Sequence, residues 1–135
     1  MDRLHKTVAA LDRAVQRLEE ALQKVQQHRG DEDYAFYRDA AIQRFEFTFE
    51  IFWKALKIVL EYKGIICRSP RSCIREFFAA GYISEEHAQR LLEMVEAPSL
   101  TVYAYQEDIA ENVVRQLPGY VPVLQGVLTT MRKIF

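Results

Sequence analysis

The side chains that could do chemistry are few in this 135-residue chain, and their spacing decides what each can do. His5 and His28 lie near the two ends of the first amphipathic segment, and His87 lies far downstream. None stands in a nucleophile–base or metal-ligand spacing, so each reads as a surface histidine. Cys67 and Cys73 have no histidine nearby and do not form a CxxC pair. They read as ordinary buried or half-buried thiols in a reducing compartment. Serine occurs only at Ser69, Ser72, Ser84 and Ser99, and none sits in a nucleophile elbow. The five glycines are isolated, so no loop can cradle a phosphate. Nothing here argues for catalysis, for a resident metal or for a cofactor.

Two stretches argue for binding instead. In the second long segment, Gln43, Glu46, Glu50, Lys54, Lys57 and Glu61 fall on one narrow polar stripe when placed at 100° steps. Glu50 and Lys54 are i,i+4 in the favourable orientation, while Glu46 and Glu50 are like charges at the same spacing. Trp53 borders the stripe, and tryptophan beside charges is common at interfaces. Spacing alone is that of a solvated helix face, but the narrowness of the stripe and Trp53 at its edge lead to the expectation of a partly buried charged cleft. The other stretch is 96–105, where Tyr103 and Tyr105 follow a proline break and precede Glu107 and Asp108, acids well placed for a first helical turn. Both tyrosines either pack the loop onto the fold or belong to a recognition surface.

Helices must position these residues. Leu4, Val8, Leu11, Val15, Leu18, Leu22 and Val25 alternate four and three apart, a heptad seam closed by Gly30. The second helix spans about 33–63. Ala41, Phe45, Thr48, Phe49, Phe52, Leu56 and Val59 share a face, which Phe47, Ile51, Ala55 and Ile58 widen past half the circumference. So wide an arc needs cover on more than one side. Ser69-Pro70 opens a short helix and Ser84 another, and a last helical region runs from about 106 to 135. A break is expected at Leu117-Pro118-Gly119.

The fold class is therefore all-α: an antiparallel up-and-down bundle of the four-helix type with short additional helices, as one domain over 1–135. Eighteen basic and nineteen acidic residues give a net charge of −1, which argues against a globally basic nucleic-acid binder. The longest uncharged stretch, 116–131, is shorter than the roughly 20 residues of a membrane span and holds two prolines. With no signal peptide visible, the expected location is cytoplasmic.

The run Tyr37-Arg38-Asp39-Ala40-Ala41-Ile42-Gln43-Arg44-Phe45-Glu46-Phe47-Thr48-Phe49-Glu50, with Trp53-Lys54 after it, resembles the signature of nucleotidyltransferase substrate-binding proteins. These are helical-bundle subunits grouped with the HEPN superfamily. Ser69-Pro70-Arg71, Ile74-Arg75-Glu76 with Phe78 before Gly81, and Tyr105-Gln106-Glu107 are similar to that family as well. The resemblance implies a homodimer that complexes with a separately encoded minimal nucleotidyltransferase, the subunit that carries the metal and nucleotide chemistry. It also implies a partner- or substrate-binding cleft at Gln43, Arg44, Glu46, Glu50, Trp53 and Lys54.

Many such pairs are toxin–antitoxin modules in which the helical subunit is a ribonuclease. That form uses an arginine with a polar neighbour, a histidine further in, and a tyrosine two residues after the histidine. Here Pro98 takes the arginine place, Ser99 the neighbour's and Tyr103 the histidine's, and only Tyr105 keeps its identity. Proline has no guanidinium to hold a phosphate, and a tyrosine of pKa about 10 is a poor base at neutral pH. The resemblance thus implies an inactive ribonuclease motif, with Tyr105 as a potential AMP acceptor. The alternative is a ribonuclease that works with the substituted residues.

Overall fold

The computed structural model describes residues 2–99 and 106–135. Tyr103 and Tyr105 lie outside the described residues. Five helices are described: α1 (Asp2–Gln27), α2 (Tyr34–Tyr62), α3 (Pro70–Ala79), α4 (Glu85–Val95) and α5 (Glu107–Ile134). No strand occurs among the described residues.

The seam of α1 buries Leu4, Val8, Leu11, Val15, Leu18 and Val25, with Leu22 half-covered. Gly30, at φ 83°, makes the left-handed turn that ends α1 and frees the chain to reverse into α2. The reversal sets α1 against α2 head to tail. Arg3 at the start of α1 reaches Glu61 at the end of α2, and the Thr48 hydroxyl donates to the Ala14 carbonyl at 3.2 Å as well as to its own helix at Arg44.

Helix α5 crosses α1 in the opposite sense, with Asp12 meeting Arg132 and Glu19 meeting Gln125. It therefore runs parallel to α2, whose Phe45 stacks on Tyr120 at 5.7 Å. The third position of the bundle is filled by a hairpin of the two short helices. Ser69 and Ser72 close a reciprocal cap at the start of α3, with Pro70 in its first turn, and the Ser84 hydroxyl accepts from His87 N–H to begin α4. Arg71 and Glu96 pair across the open end of the hairpin.

The expected break at Leu117-Pro118-Gly119 does not occur: α5 runs unbroken through both Pro118 and Pro122. Each proline removes one ladder hydrogen bond, but both rings face solvent while Leu117, Val121 and Leu124 are buried. Burial of that apolar stripe outweighs the local cost. Gly119 is exposed, and the nearest atom to a Cβ placed there is the movable tip of Arg90, whose guanidinium lies over the Tyr120 ring at 5.3 Å.

The cysteines also differ from expectation. Both are buried, yet they are joined in a Cys67–Cys73 disulfide rather than left as thiols. The extended stretch before Ser69 and the first turn of α3 fold back on each other and bring the two Cα atoms to 5.1 Å.

Candidate functional site

The outer face of α2 carries the polar stripe. Glu50 pairs with Lys54 at 3.0 Å and accepts a hydrogen bond from the Trp53 indole N–H at 3.1 Å. The Lys54 and Trp53 hydrogen bonds hold the Glu50 carboxyl below the usual carboxylate range. The Glu50 and Lys54 side chains are 58% and 56% exposed, so the pair stands in solvent and not in the partly buried cleft expected from the sequence. The C-terminal part of the stripe turns towards α1, where Glu61 meets Arg3 and Lys54 and Lys57 border a hollow with Lys6 and Ala10.

The residues around it sort into separate hollows. Phe45, Glu46, Phe49 and Glu50 line one of about 170 Å³ together with Pro98 and Ser99, which follow α4. Glu46 and Glu50 of the stripe thus lie beside Pro98 and Ser99. Trp53 and Lys54 instead face a hollow of about 500 Å³ shared with the start of α1. Arg44 belongs to a third, of about 250 Å³, with Arg17, Phe36 and Tyr37. Gln43 is exposed on the same helix. The six cleft residues therefore share one helix but not one cavity.

Sequence reasoning gave no role to Arg38, apart from its place in the family signature. Its guanidinium is buried and bonded three ways: to Asp39 at 3.0 Å, to Glu107 at 2.5 Å and to Glu111 at 3.3 Å. The Tyr34 hydroxyl donates to the other oxygen of Glu111 at 2.9 Å. Burial disfavours the charged guanidinium, but the hydrogen bonds to Glu107 and Asp39 more than compensate, and the net shift is upward. The same bond holds Glu107 below its ordinary value. Burial, followed by the Glu111 contact, raises the Tyr34 hydroxyl. The cluster ties the start of α2 to the start of α5, immediately after the segment that carries Tyr103 and Tyr105. One sequence signal was available: Arg38 sits at i−3, i−4 and i−7 from Ala41, Ile42 and Phe45, on the buried face, where an arginine needs partners.

Among the described residues, no group of three or more His, Cys, Asp or Glu side chains is placed to hold a metal ion. Likewise no described helix is long and apolar enough to cross a membrane.

The family model described as "nucleotidyltransferase substrate binding protein like" matches residues 6–133 of this chain. Among solved structures, the chain is similar to the crystal structure of a protein from Thermus thermophilus, ttk003001694, at 42% sequence identity and a TM-score of 0.70. That likeness covers 85% of this chain and 98% of the other. No curated protein matches.

Proposed function

The chain belongs to the nucleotidyltransferase substrate-binding-protein-like family, and from that premise we propose that it is a single-domain, non-catalytic subunit serving a separately encoded minimal nucleotidyltransferase. The partner brings the nucleotide, the metal and the transfer chemistry. This chain brings a surface that holds the partner or the molecule to be modified, and it needs no cofactor of its own. The observation that carries the reading is the hollow in which Glu46 and Glu50 meet Pro98 and Ser99. It joins half-buried Glu46 and exposed Glu50 of α2 to the place where a ribonuclease of this superfamily would need its arginine. With proline there, the hollow keeps a rim suited to recognition and loses the charge that would stabilise a scissile phosphate. Tyr105 remains the proposed acceptor if the partner adenylylates this subunit.

A homodimer is part of the proposal. Phe36 and Phe47, at 73% and 53% exposure, leave the N-terminal half of α2 with large apolar side chains uncovered, and a second copy would cover them. A cytoplasmic location goes with a nucleotide-handling partner. There the Cys67–Cys73 pair would face a reducing thiol pool.

The test is co-expression with the nucleotidyltransferase encoded beside this chain, identified by a Gly-Ser followed by paired aspartates. Co-elution of the two, with nucleotide transfer that depends on both, is expected. Separate elution, or metal-independent RNA cleavage by this chain alone that is lost in Tyr103→Phe, would replace the proposal with the ribonuclease reading.

A further inference from the structure

We infer that the hollow between the start of α1 and the C-terminal half of α2 is a binding site for a small planar anion, an aromatic ring carrying phosphate. This goes beyond the partner-subunit reading and does not depend on it. The site lies on the α1 side of α2, whereas the hollow with Pro98 and Ser99 lies on the α4 side.

Shape, floor and charge all support it. At about 500 Å³ the hollow falls in the size range of ligand sites. Ala10, Ile51 and Ile58 give it an apolar floor, and Trp53 adds an aromatic wall. The indole N–H donates to Glu50, which pairs with Lys54, so the ring has a preferred orientation. A ring with a preferred orientation loses less entropy when another ring packs on it.

Four cations surround this floor: Arg3 and Lys6 from α1, and Lys54 and Lys57 from α2. Arg3 stands 3.8 Å from Glu61, and Lys54 is paired with Glu50. Among the described residues, Lys6 and Lys57 have no carboxylate at ion-pair distance. Two helices therefore deliver two uncompensated ammonium groups to one apolar concavity. Phosphate relieves that repulsion, and the ring it carries covers the floor. A second copy of this chain fits the same place poorly, because a two-fold contact here would set these cations against their own like.

Trp53 is the only tryptophan in the chain, so its emission reports on the wall of this hollow. The experiment is a fluorescence titration of the full chain with ATP, without divalent metal, alongside adenosine and tripolyphosphate. ATP is expected to change Trp53 emission saturably with a Kd below about 1 mM, and adenosine and tripolyphosphate to bind at least about tenfold more weakly. Lys6→Glu with Lys57→Glu should weaken ATP about tenfold or more at an unchanged thermal midpoint, whereas Lys24→Glu, at the far end of α1, should leave it unaltered. Three results would overturn the inference: no saturable change with ATP, tripolyphosphate binding as well as ATP, or a charge-reversed double variant that binds like the parent.

Discussion

Arg38 and Glu50 are both charged residues on α2, and their surroundings give them opposite consequences when lost. Arg38 is buried with three carboxylates around it, so Arg38→Met, which keeps the volume and removes the charge-assisted bonds, should cost about 2 kcal/mol in urea unfolding. The pH dependence follows from Glu107, whose folded pKa lies below its ordinary 4.5. Its share of the stability is complete above that value and is lost as pH falls through the depressed one. The gap between wild type and Arg38→Met should therefore stay constant above about pH 5 and narrow on further acidification. A gap that widens in acid would mean the carboxylate is not what Arg38 holds. Glu50 is exposed, so Glu50→Ala should change stability by no more than about 0.5 kcal/mol. Under the proposed function its effect is expected in binding. The stripe was legible because charge spacing on one helix is visible in sequence. The Arg38 cluster was not, because Glu107 and Glu111 reach it only through the packing of α5 on α2.

Element boundaries could be read wherever local chemistry sets them. The heptad seam of α1, the Ser69-Pro70 and Ser84 starts and the glycine at the end of α1 are all local signals, and each stands where the sequence puts it. The two departures have non-local causes. Pro118 and Pro122 stop an isolated helix, yet α5 continues because the stripe from Leu117 to Leu124 is buried against the rest of the bundle. Restoring the missing N–H with Pro118→Ala should raise stability by about 1 kcal/mol or more, read as a higher urea midpoint. A lower midpoint would show that the packing of α5 requires the bend a proline imposes. The Cys67–Cys73 bond likewise depends on how the loop before α3 folds back, which spacing alone does not reveal. Closing so short a loop constrains the unfolded chain, and Cys73→Ser should cost about 2 kcal/mol relative to the oxidised protein. Equal stability with and without reductant would count against that bond's contribution.

At the scale of the molecule, five helices bury one continuous set of apolar side chains yet leave Phe36 and Phe47 in solvent. Among the described helices, α1, α3 and α5 make the main contacts with α2, and α4 packs on α3 and α5. A dimer at micromolar concentration by light scattering is expected, with Phe47→Lys shifting it towards monomer while the helical signal stays intact. A wild-type monomer under those conditions would leave the exposed aromatics to the partner alone. The proposed function has this chain work through a nucleotidyltransferase, gripped at the outer face of α2. The most direct measurement is the affinity of the purified chain for that enzyme by calorimetry, wild type beside Glu50→Lys, with thermal stability recorded on the same samples. A complex that weakens at least about tenfold in the variant at an unchanged thermal midpoint is expected. No complex with wild type, or a variant that binds as tightly as wild type, would contradict it.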